Sequence, residues 1–168
     1  NCDAAFLTQL DSIAWILNIR GNDVPCNPVL LCHGLLHVDG AFELYINEDK
    51  IPQGFHNHVG PDVSVISPEN MKNKIANLTG KKIQIDSASS NLWSKNLLND
   101  AAAIVVDKKD PCTLAKACKN DVEIKGMKEC HIRDAIAECT FLSWFEEEIT
   151  KGNIHNEGTL ADKLDSLR

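Results

Sequence analysis

Residues 29–46 read VLLCHGLLHVDGAFELYI, and this stretch decides the fold class of the chain. Two apolar runs, residues 29–38 and residues 42–46, lie on either side of Asp39-Gly40. An Asp-Gly step between two such runs is the strongest short-range signal of a β-hairpin, because the tight turn needs residues that tolerate positive φ. We therefore predict a buried strand, a tight turn and a second strand over these residues.

Short β-like runs alternate with helical patterns on both sides of this hairpin, as is typical of a layered α/β domain. Thr8 or Asp11 is predicted to cap the first helix, and Gly21 to end it. Ser67 is predicted to cap a later helix that has Pro68 in its first turn. The sequence therefore predicts an α/β fold with a mixed five- to six-stranded sheet flanked by helices. Further strands are predicted over residues 4–8, 63–66, 81–85 and 103–106, helices over residues 10–17, 68–78 and 91–98, and a loop over residues 53–60.

The pattern changes after Pro111, where strand signals stop and apolar residues recur at helical spacing. This spacing predicts one long helix, which residues 151–153 end with a cation and a glycine, followed by a short helix over residues 159–167. The predicted apolar stripe of the long helix contains Cys118, Val122, Met127, Cys130, Ala135, Ile136, Cys139, Leu142, Phe145 and Ile149.

A lone helix pair cannot bury such a stripe by itself. We therefore interpret residues 1–117 as one α/β domain and residues 118–168 as the incomplete opening helices of a neighbouring domain. No leader sequence with a cleavage site follows Asn1, so we expect this residue to lie inside a longer chain.

The composition excludes several classes of protein. Of 168 residues, 43% are apolar and 24% are charged, which is ordinary for a globular domain. The net charge is 17 − 24 = −7 without a basic cluster, which argues against nucleic acids and anionic membranes as partners. No apolar run approaches the ~18 residues of a membrane-spanning helix. The seven cysteines are irregularly spaced, and we interpret them as reduced, mostly buried thiols of a cytoplasmic protein.

The common catalytic motifs for nucleotide binding, zinc peptidases and serine hydrolases are absent from the sequence. His56 and His58 would face the same way on an extended segment and share a metal ion, but unpaired surface histidines are commoner. His131 and Asp134 lie at helical neighbour spacing, where a surface ion pair is favoured over a tuned base. Residues 146–148 are three consecutive glutamates and indicate a solvated helix face.

The turn after the first helix concentrates polar groups in a loop that proline and glycine stiffen. Within six residues it contains the amide of Asn18, the guanidinium of Arg20 and the carboxylate of Asp23. Loops held in this way often contact ligands. The equally favoured alternative is a cap-and-turn network in which Arg20 and Asp23 bond to the backbone and to each other.

This loop also carries a family resemblance. Residues 10–24 read LDSIAWILNIRGNDV and are followed by Asn27-Pro28-Val29, which closely resembles the L-D-x-I-A-W-L-x-N-x-R-G-x-D segment and the following N-P-V of the Xaa-Pro aminopeptidases. A second match, within residues 119–146, resembles the linker of that family into its catalytic domain. The two matches frame nearly the whole chain, although residues 47–100 carry little family signal.

The resemblance implies a creatinase N-terminal-like fold for the first unit and a truncated pita-bread catalytic domain for the second. Long members of the family have three domains, and this chain resembles the middle domain plus the first helices of the third. Members of the family bind two divalent metal ions, Mn or Zn, through a set of Asp, Asp, His, Glu and Glu. These ligands follow the segment that this chain resembles. We therefore expect no catalytic residue, metal ligand or cofactor in this chain, and no activity from it alone.

The function that the resemblance implies is that of the parent enzyme, which removes the N-terminal residue from Xaa-Pro peptides. Asn18, Arg20 and Asp23 are then the candidate substrate-side residues, on a wall of the cleft. The expected partners are proline-containing peptides and the rest of the parent chain, and an uncovered helical stripe would also favour a homodimer. The alternative is a free-standing α/β interaction module without hydrolase activity.

Overall fold

The computed structural model describes the whole chain, Asn1–Arg168, and divides into two compact units, residues 1–117 and residues 118–168. In chain order the first unit contains β1 (Ala4–Leu7), α1 (Leu10–Ile16), β2 (His33–His37), β3 (Phe42–Tyr45), α2 (Phe55–Val59), β4 (Val63–Ile66), α3 (Met71–Ala76), β5 (Lys82–Ile85), α4 (Leu92–Asp100), β6 (Ile104–Asp107) and α5 (Cys112–Ala117). The second unit contains α6 (Asp121–Thr150) and α7 (Glu157–Leu167). None of the helices combines the length and the apolar character needed to cross a lipid bilayer.

The first unit is built on a six-stranded mixed sheet with the strand order β4-β3-β2-β1-β5-β6. Only β2 runs against its neighbours, and all other adjacent strands are parallel. The predicted hairpin is β2 and β3, with His33 opposite Tyr45 and with Gly40 at φ 94° in the turn. The predicted fold class, a mixed sheet flanked by helices, is confirmed.

Both faces of the sheet are buried, which explains why a strand such as β1 is apolar throughout. Successive residues of a strand point to opposite faces. Ala4 and Phe6 therefore join a core under α3 and α4, while Ala5 and Leu7 join a second core under α1 and α2. This burial on both sides is typical of parallel and mixed sheets that carry helices on each face.

Several element ends differ from the prediction. The first helix ends before Gly21, because Asn18 turns the chain in the left-handed region at φ 48°. Neither Thr8 nor Asp11 caps its start, where the N-cap is Gln9 without a side-chain hydrogen bond. Ser67 likewise makes no capping bond, and a single 3-10 turn with Pro68 in its first turn precedes α3. No side-chain cap therefore sets the start of α1 or of the 3-10 turn before α3.

Two predicted extents were also wrong. Residues 29–32 lie outside the strand, with a bend at Leu31, so β2 is half as long as the apolar run that predicted it. The predicted loop over residues 53–60 contains α2, which begins after Gly54 at φ 90° and buries Phe55.

In the second unit α6 and α7 form a helical hairpin. Each helix begins with a capping box, formed by the Asn120 and Asn156 side chains. The face of α6 that packs is centred on Ala137, its one buried residue, and on Trp144, whose ring lies 5.3 Å from Lys163 Nζ on α7. Gly152 at φ 78° follows the end of α6, as its position predicts.

The predicted apolar stripe of α6 is not the face that packs. Ile136, Leu142 and Ile149 are 64%, 57% and 59% exposed. A single short partner helix covers only one side of a 30-residue helix, and that side is offset from the stripe. The stripe therefore presents apolar area that these two helices do not bury.

Candidate functional site

The loop that follows α1 is held against the end of that helix. The N–H of Asn18 donates to the Trp15 carbonyl at 3.2 Å, and the N–H of Ile19 donates to the Ala14 carbonyl at 2.9 Å. Asparagine is among the few residues that tolerate the left-handed backbone this reversal requires. The sequence thereby redirects the chain within one residue and places the Asn18 carbonyl at the surface of the domain.

Arg20 caps the end of α1. Its Nη1 donates to the carbonyls of Ala14, at 3.2 Å, and Ile19, at 2.8 Å. A guanidinium at this position satisfies helix carbonyls and complements the negative end of the helix dipole. The hydrogen bonds of Arg20 use only Nη1, so Nε and Nη2 of this exposed side chain keep their donors for a ligand.

Asp23 closes the far side of the loop. One carboxylate oxygen accepts from the backbone N–H of Leu31 and from Lys50 Nζ, both at 2.7 Å. The hydrogen bond from Lys50, followed by that from Leu31, holds the pKa of this carboxyl below its usual value. Of the cap-and-turn alternative, the bonds of Arg20 and Asp23 to the backbone are present, whereas the expected contact between the two side chains was wrong.

His58 of α2 supports the loop from the opposite side. Its Nε2 lies 3.2 Å from the Leu17 carbonyl and 3.1 Å from the Asn18 carbonyl. Because both partners only accept, Nε2 carries the hydrogen and donates to them, and Nδ1 faces away from this pair. Leu17 and Asn18 directly follow the last turn of α1, so His58 ties α2 to the end of that helix.

These groups border a cleft of about 510 Å³. Two of the three predicted substrate-side residues, Asn18 and Arg20, line it, whereas Asp23 does not line it but accepts a hydrogen bond from Lys50, which does. The lining consists of Asn18, Ile19, Arg20, Gly21, Asn22, Leu30, Leu44, Lys50, Ile51, Pro52, Gln53, Gly54, Phe55 and His58. Such a surface offers cationic and amide donors over an apolar floor, which suits carbonyl or carboxylate groups of a peptide.

Sequence reasoning missed Lys50 and the role of His58. Lys50 lies 27 positions from Asp23, and His58 lies 40 positions from Asn18. No local pattern links residues that far apart. The only sequence signal was the concentration of histidine and glycine in residues 53–60, which reads equally well as a loop.

The arrangement that a metal ion would need at His56 and His58 is absent. Both residues lie on α2, where positions two apart diverge, and His56 packs edge-on against Phe55 with a centroid distance of 5.4 Å. No group of three or more His, Cys, Asp or Glu side chains in this chain is placed to bind a metal ion. Burial also raises the pKa of the Cys32 thiol to about 12, which disfavours the thiolate that zinc requires.

The remaining candidates are structural. Asp134 pairs with Arg168 at 2.7 Å rather than with His131. Glu146 and Glu147 are exposed, as the solvated face predicted for residues 146–148 requires, but for Glu148 that prediction was wrong, because its side chain is only 15% exposed and accepts from Asn153 Nδ2 at 2.7 Å. The seven cysteines are all free, but only two are buried, so the prediction of mostly buried thiols was wrong. The exposed cysteines are Cys26, Cys118, Cys130 and Cys139, and the buried ones are Cys32 and Cys112.

Comparison with known proteins identifies relatives of this architecture. The sequence model of the creatinase/prolidase N-terminal domain matches residues 1–123. Probable Xaa-Pro aminopeptidase P of Ajellomyces capsulatus is 34% identical over 183 aligned positions, which cover 99% of this chain and 28% of that protein. The enzyme of the same name from Aspergillus fumigatus is 36% identical over 174 positions, covering 96% and 26%.

A solved structure shows the same likeness in three dimensions. The X-prolyl aminopeptidase of Caenorhabditis elegans, described as a cytosolic enzyme with a di-nuclear active site, superposes with a TM-score of 0.85 and is 29% identical. The superposition covers 99% of this chain and 28% of that one. The chain therefore spans little more than a quarter of the length of these relatives.

Proposed function

Because this chain belongs to the creatinase/prolidase N-terminal domain family, we propose that it is the non-catalytic part of a metal-dependent Xaa-Pro aminopeptidase. The observation that carries the proposal is sequence identity over nearly the whole chain to proteins named Xaa-Pro aminopeptidase P. In this proposal residues 1–117 are the middle α/β domain of the parent enzyme, and residues 118–168 open its catalytic domain. The proposed location is the cytoplasm, by analogy with the relative described as cytosolic.

The proposed parent holds two divalent metal ions, Mn or Zn, outside this segment. A di-nuclear active site in the nematode relative supports the number of ions. The residues of this chain do not fit such a centre, since no group of three suitable side chains converges. The chain alone is therefore expected to hydrolyse no peptide. The remainder of the parent chain would also cover the exposed apolar stripe of α6. The alternative is that a second copy of this chain covers the stripe in a homodimer.

The proposed contribution of this chain is one wall of the substrate cleft. Arg20 is anchored through Nη1, so its orientation is set before a ligand arrives, while Nε and Nη2 remain available. A preorganised guanidinium binds a peptide carbonyl or carboxylate at a lower entropic cost than a free side chain. Asn18 lies on the same cleft, and Asp23 acts indirectly by positioning Lys50.

The proposal is tested on the full-length protein from the same transcript. With Mn²⁺ or Zn²⁺ added, it is expected to release the first residue of an Arg-Pro-Pro peptide, whereas the 168-residue chain is expected to release none. Metal-dependent turnover by the 168-residue chain would refute its inactivity. A transcript that stops soon after Arg168 and encodes an inactive protein would favour an interaction module.

The role of the loop is tested in the same full-length protein with Arg20→Lys. A lysine keeps the charge but loses the forked donors, so we expect KM to rise about tenfold with kcat nearly unchanged, since a hydrogen bond to a charged group contributes ~1.5–3 kcal/mol. Unfolding temperatures close to the wild-type value would show that the loop is intact. An unchanged KM would remove Arg20 from the substrate side.

A further inference from the structure

The sheet has an open edge at β4. The carbonyls of Asp62 and Ile66 accept from the N–H groups of Phe42 and Ile46, at 2.8 and 3.0 Å. Because backbone groups alternate between the two sides of a strand, the N–H and carbonyl groups of Val63 and Val65 point away from β3. No strand lies on that side, so these groups have no backbone partner.

Apart from its short length, this edge carries none of the devices that usually block strand addition. Charged residues, prolines and bulges commonly protect the edges of sheets in native proteins. The four residues of β4 read VSVI, with neither a charge nor a proline among them. An edge of this kind is a template for a further strand.

A groove of about 500 Å³, within the ~300–1,000 Å³ typical of ligand sites, runs along residues 64–67 of this edge, whereas Val63 is buried at its end and does not line it. Its far wall is the helical segment after β4, which presents Asn70, Asn73, Lys74 and Asn77. These positions lie at helical neighbour spacing, on a face next to the one that Met71 and Ile75 bury. A peptide between a strand edge and a helix would find backbone partners on one side and amide side chains on the other.

The charges of the groove indicate which peptide it would accept. Lys74 and Glu48 both line it, and neither makes an ion pair within the chain. Glu48 follows β3 beyond the end of β4, whereas Lys74 lies about 6 Å along the helix from Asn70, at ~1.5 Å per residue. The groove therefore complements a peptide with a basic residue at one end and an acidic residue further along.

We propose that the β4 edge and the Asn70–Asn77 face form a docking groove for an extended peptide of a partner protein, which adds as a seventh strand. The contact is about four residues long, as β4 is, with backbone hydrogen bonds to Val63 and Val65 and an acidic side chain against Lys74. This site is separate from the loop after α1 and does not depend on the peptidase assignment.

The test uses the whole 168-residue chain, labelled with ¹⁵N, and a defined probe. The probe is the capped peptide acetyl-Lys-Thr-Val-Thr-Glu-Thr-amide, titrated up to millimolar concentration. Binding is expected to shift the Val63 and Val65 amide signals and to slow their hydrogen exchange. Two further probes carry N-methyl groups on the odd or on the even residues, and strand addition predicts that only one of the two patterns abolishes binding, because alternate N–H groups face β4.

Variants test the helix wall. Lys74→Glu is expected to weaken binding about fivefold, the upper range for an exposed ion pair, whereas Lys72→Glu is expected to change it less than about twofold. Lys72 is a matched control, since it is exposed on the same helix but does not line the groove. Val65→Pro removes one outward donor at an edge where proline is tolerated, and is expected to weaken binding about fivefold or more.

Three outcomes would overturn the proposal. The first is no shift at Val63 and Val65 at millimolar peptide. The second is equal binding of both N-methylated probes, which would mean contact without strand addition. The third is protection of these amides that rises with protein concentration in the absence of peptide, which would assign the edge to a second copy of the chain.

Discussion

The fit of Gly34 in β2 is the most sensitive test of the packing in the first unit. Gly34 is buried between β1 and β3. A Cβ added there would lie 2.5 Å from Phe42 Cζ, 3.1 Å from Phe42 Cε1 and 3.4 Å from Ile13 Cγ1. Phe42 is 3% exposed and Ile13 is fully buried, so neither side chain has open space to move into.

The substitution Gly34→Ala is expected to lower the free energy of unfolding of the first unit. Overpacking of a close-packed core costs ~1–3 kcal/mol. Replacing glycine within a strand offsets ~0.5–1 kcal/mol of this, because alanine loses less backbone entropy on folding. The net loss is then about 1–2 kcal/mol, which corresponds to a fall in Tm of roughly 4–8 °C for a unit of this size.

The assay is urea unfolding combined with amide hydrogen exchange, which resolves the strands of the first unit from the helices of the second. Phe42→Leu removes the ring atoms that the new methyl group would meet, so the double variant is expected to lose less stability than the sum of the two single losses.

Gly126→Ala is the matched control. Gly126 lies within α6 with no atom near its Cβ position, and this substitution is expected to stabilise α6 by ~0.5–1 kcal/mol.

Two results would refute this reasoning. One is a Gly34→Ala variant as stable as the wild type, which would mean that the Phe42 ring moves without cost. The other is strict additivity with Phe42→Leu, which would mean that any loss arises from something other than this contact.

Three other predictions concern titration, thiols and caps. Hydrogen bonds lower the pKa of Asp23 in the folded state. The stabilisation from its ionised carboxylate is therefore present above the ordinary pKa near 3.8 and is lost as the pH falls through the lower pKa of the folded state. Asp23→Asn should remove this part of the acid dependence of stability, measured as melting temperature against pH. Burial raises the pKa of Cys32 and Cys112 to about 12, so alkylation at pH 8 followed by mass spectrometry should label the four exposed cysteines well before these two, and equal rates would contradict their burial. Asn91→Ala should cost ~1 kcal/mol in urea unfolding because its side chain caps α4 at 2.8 Å, whereas Ser67→Ala, at a position without a capping bond, should cost almost nothing.

Local signals were enough to predict most of the elements. The Asp39-Gly40 turn, the four further strands and the helix that Asn91 caps all depend on residues close together in the sequence. One predicted end failed at α1, which ends at Ile16, five residues before the glycine that was expected to end it, because the chain reverses in the left-handed region at Asn18. Asn18 and Arg20 were predictable as cleft residues because stiff polar loops concentrate function, but Lys50 carried no local signal.

By itself the sequence determined the fold class, the family and the absence of a local catalytic motif, because these depend on periodicity, turn chemistry and short segments. Only the tertiary structure decided the strand order, the pairing of Asp23 with Lys50 and the support of the Asn18 loop by His58. It also decided which face of α6 packs and that the β4 edge is left open. Contacts between residues tens of positions apart depend on how the layers pack in space, and the spacing of residues along the chain carries no record of that packing.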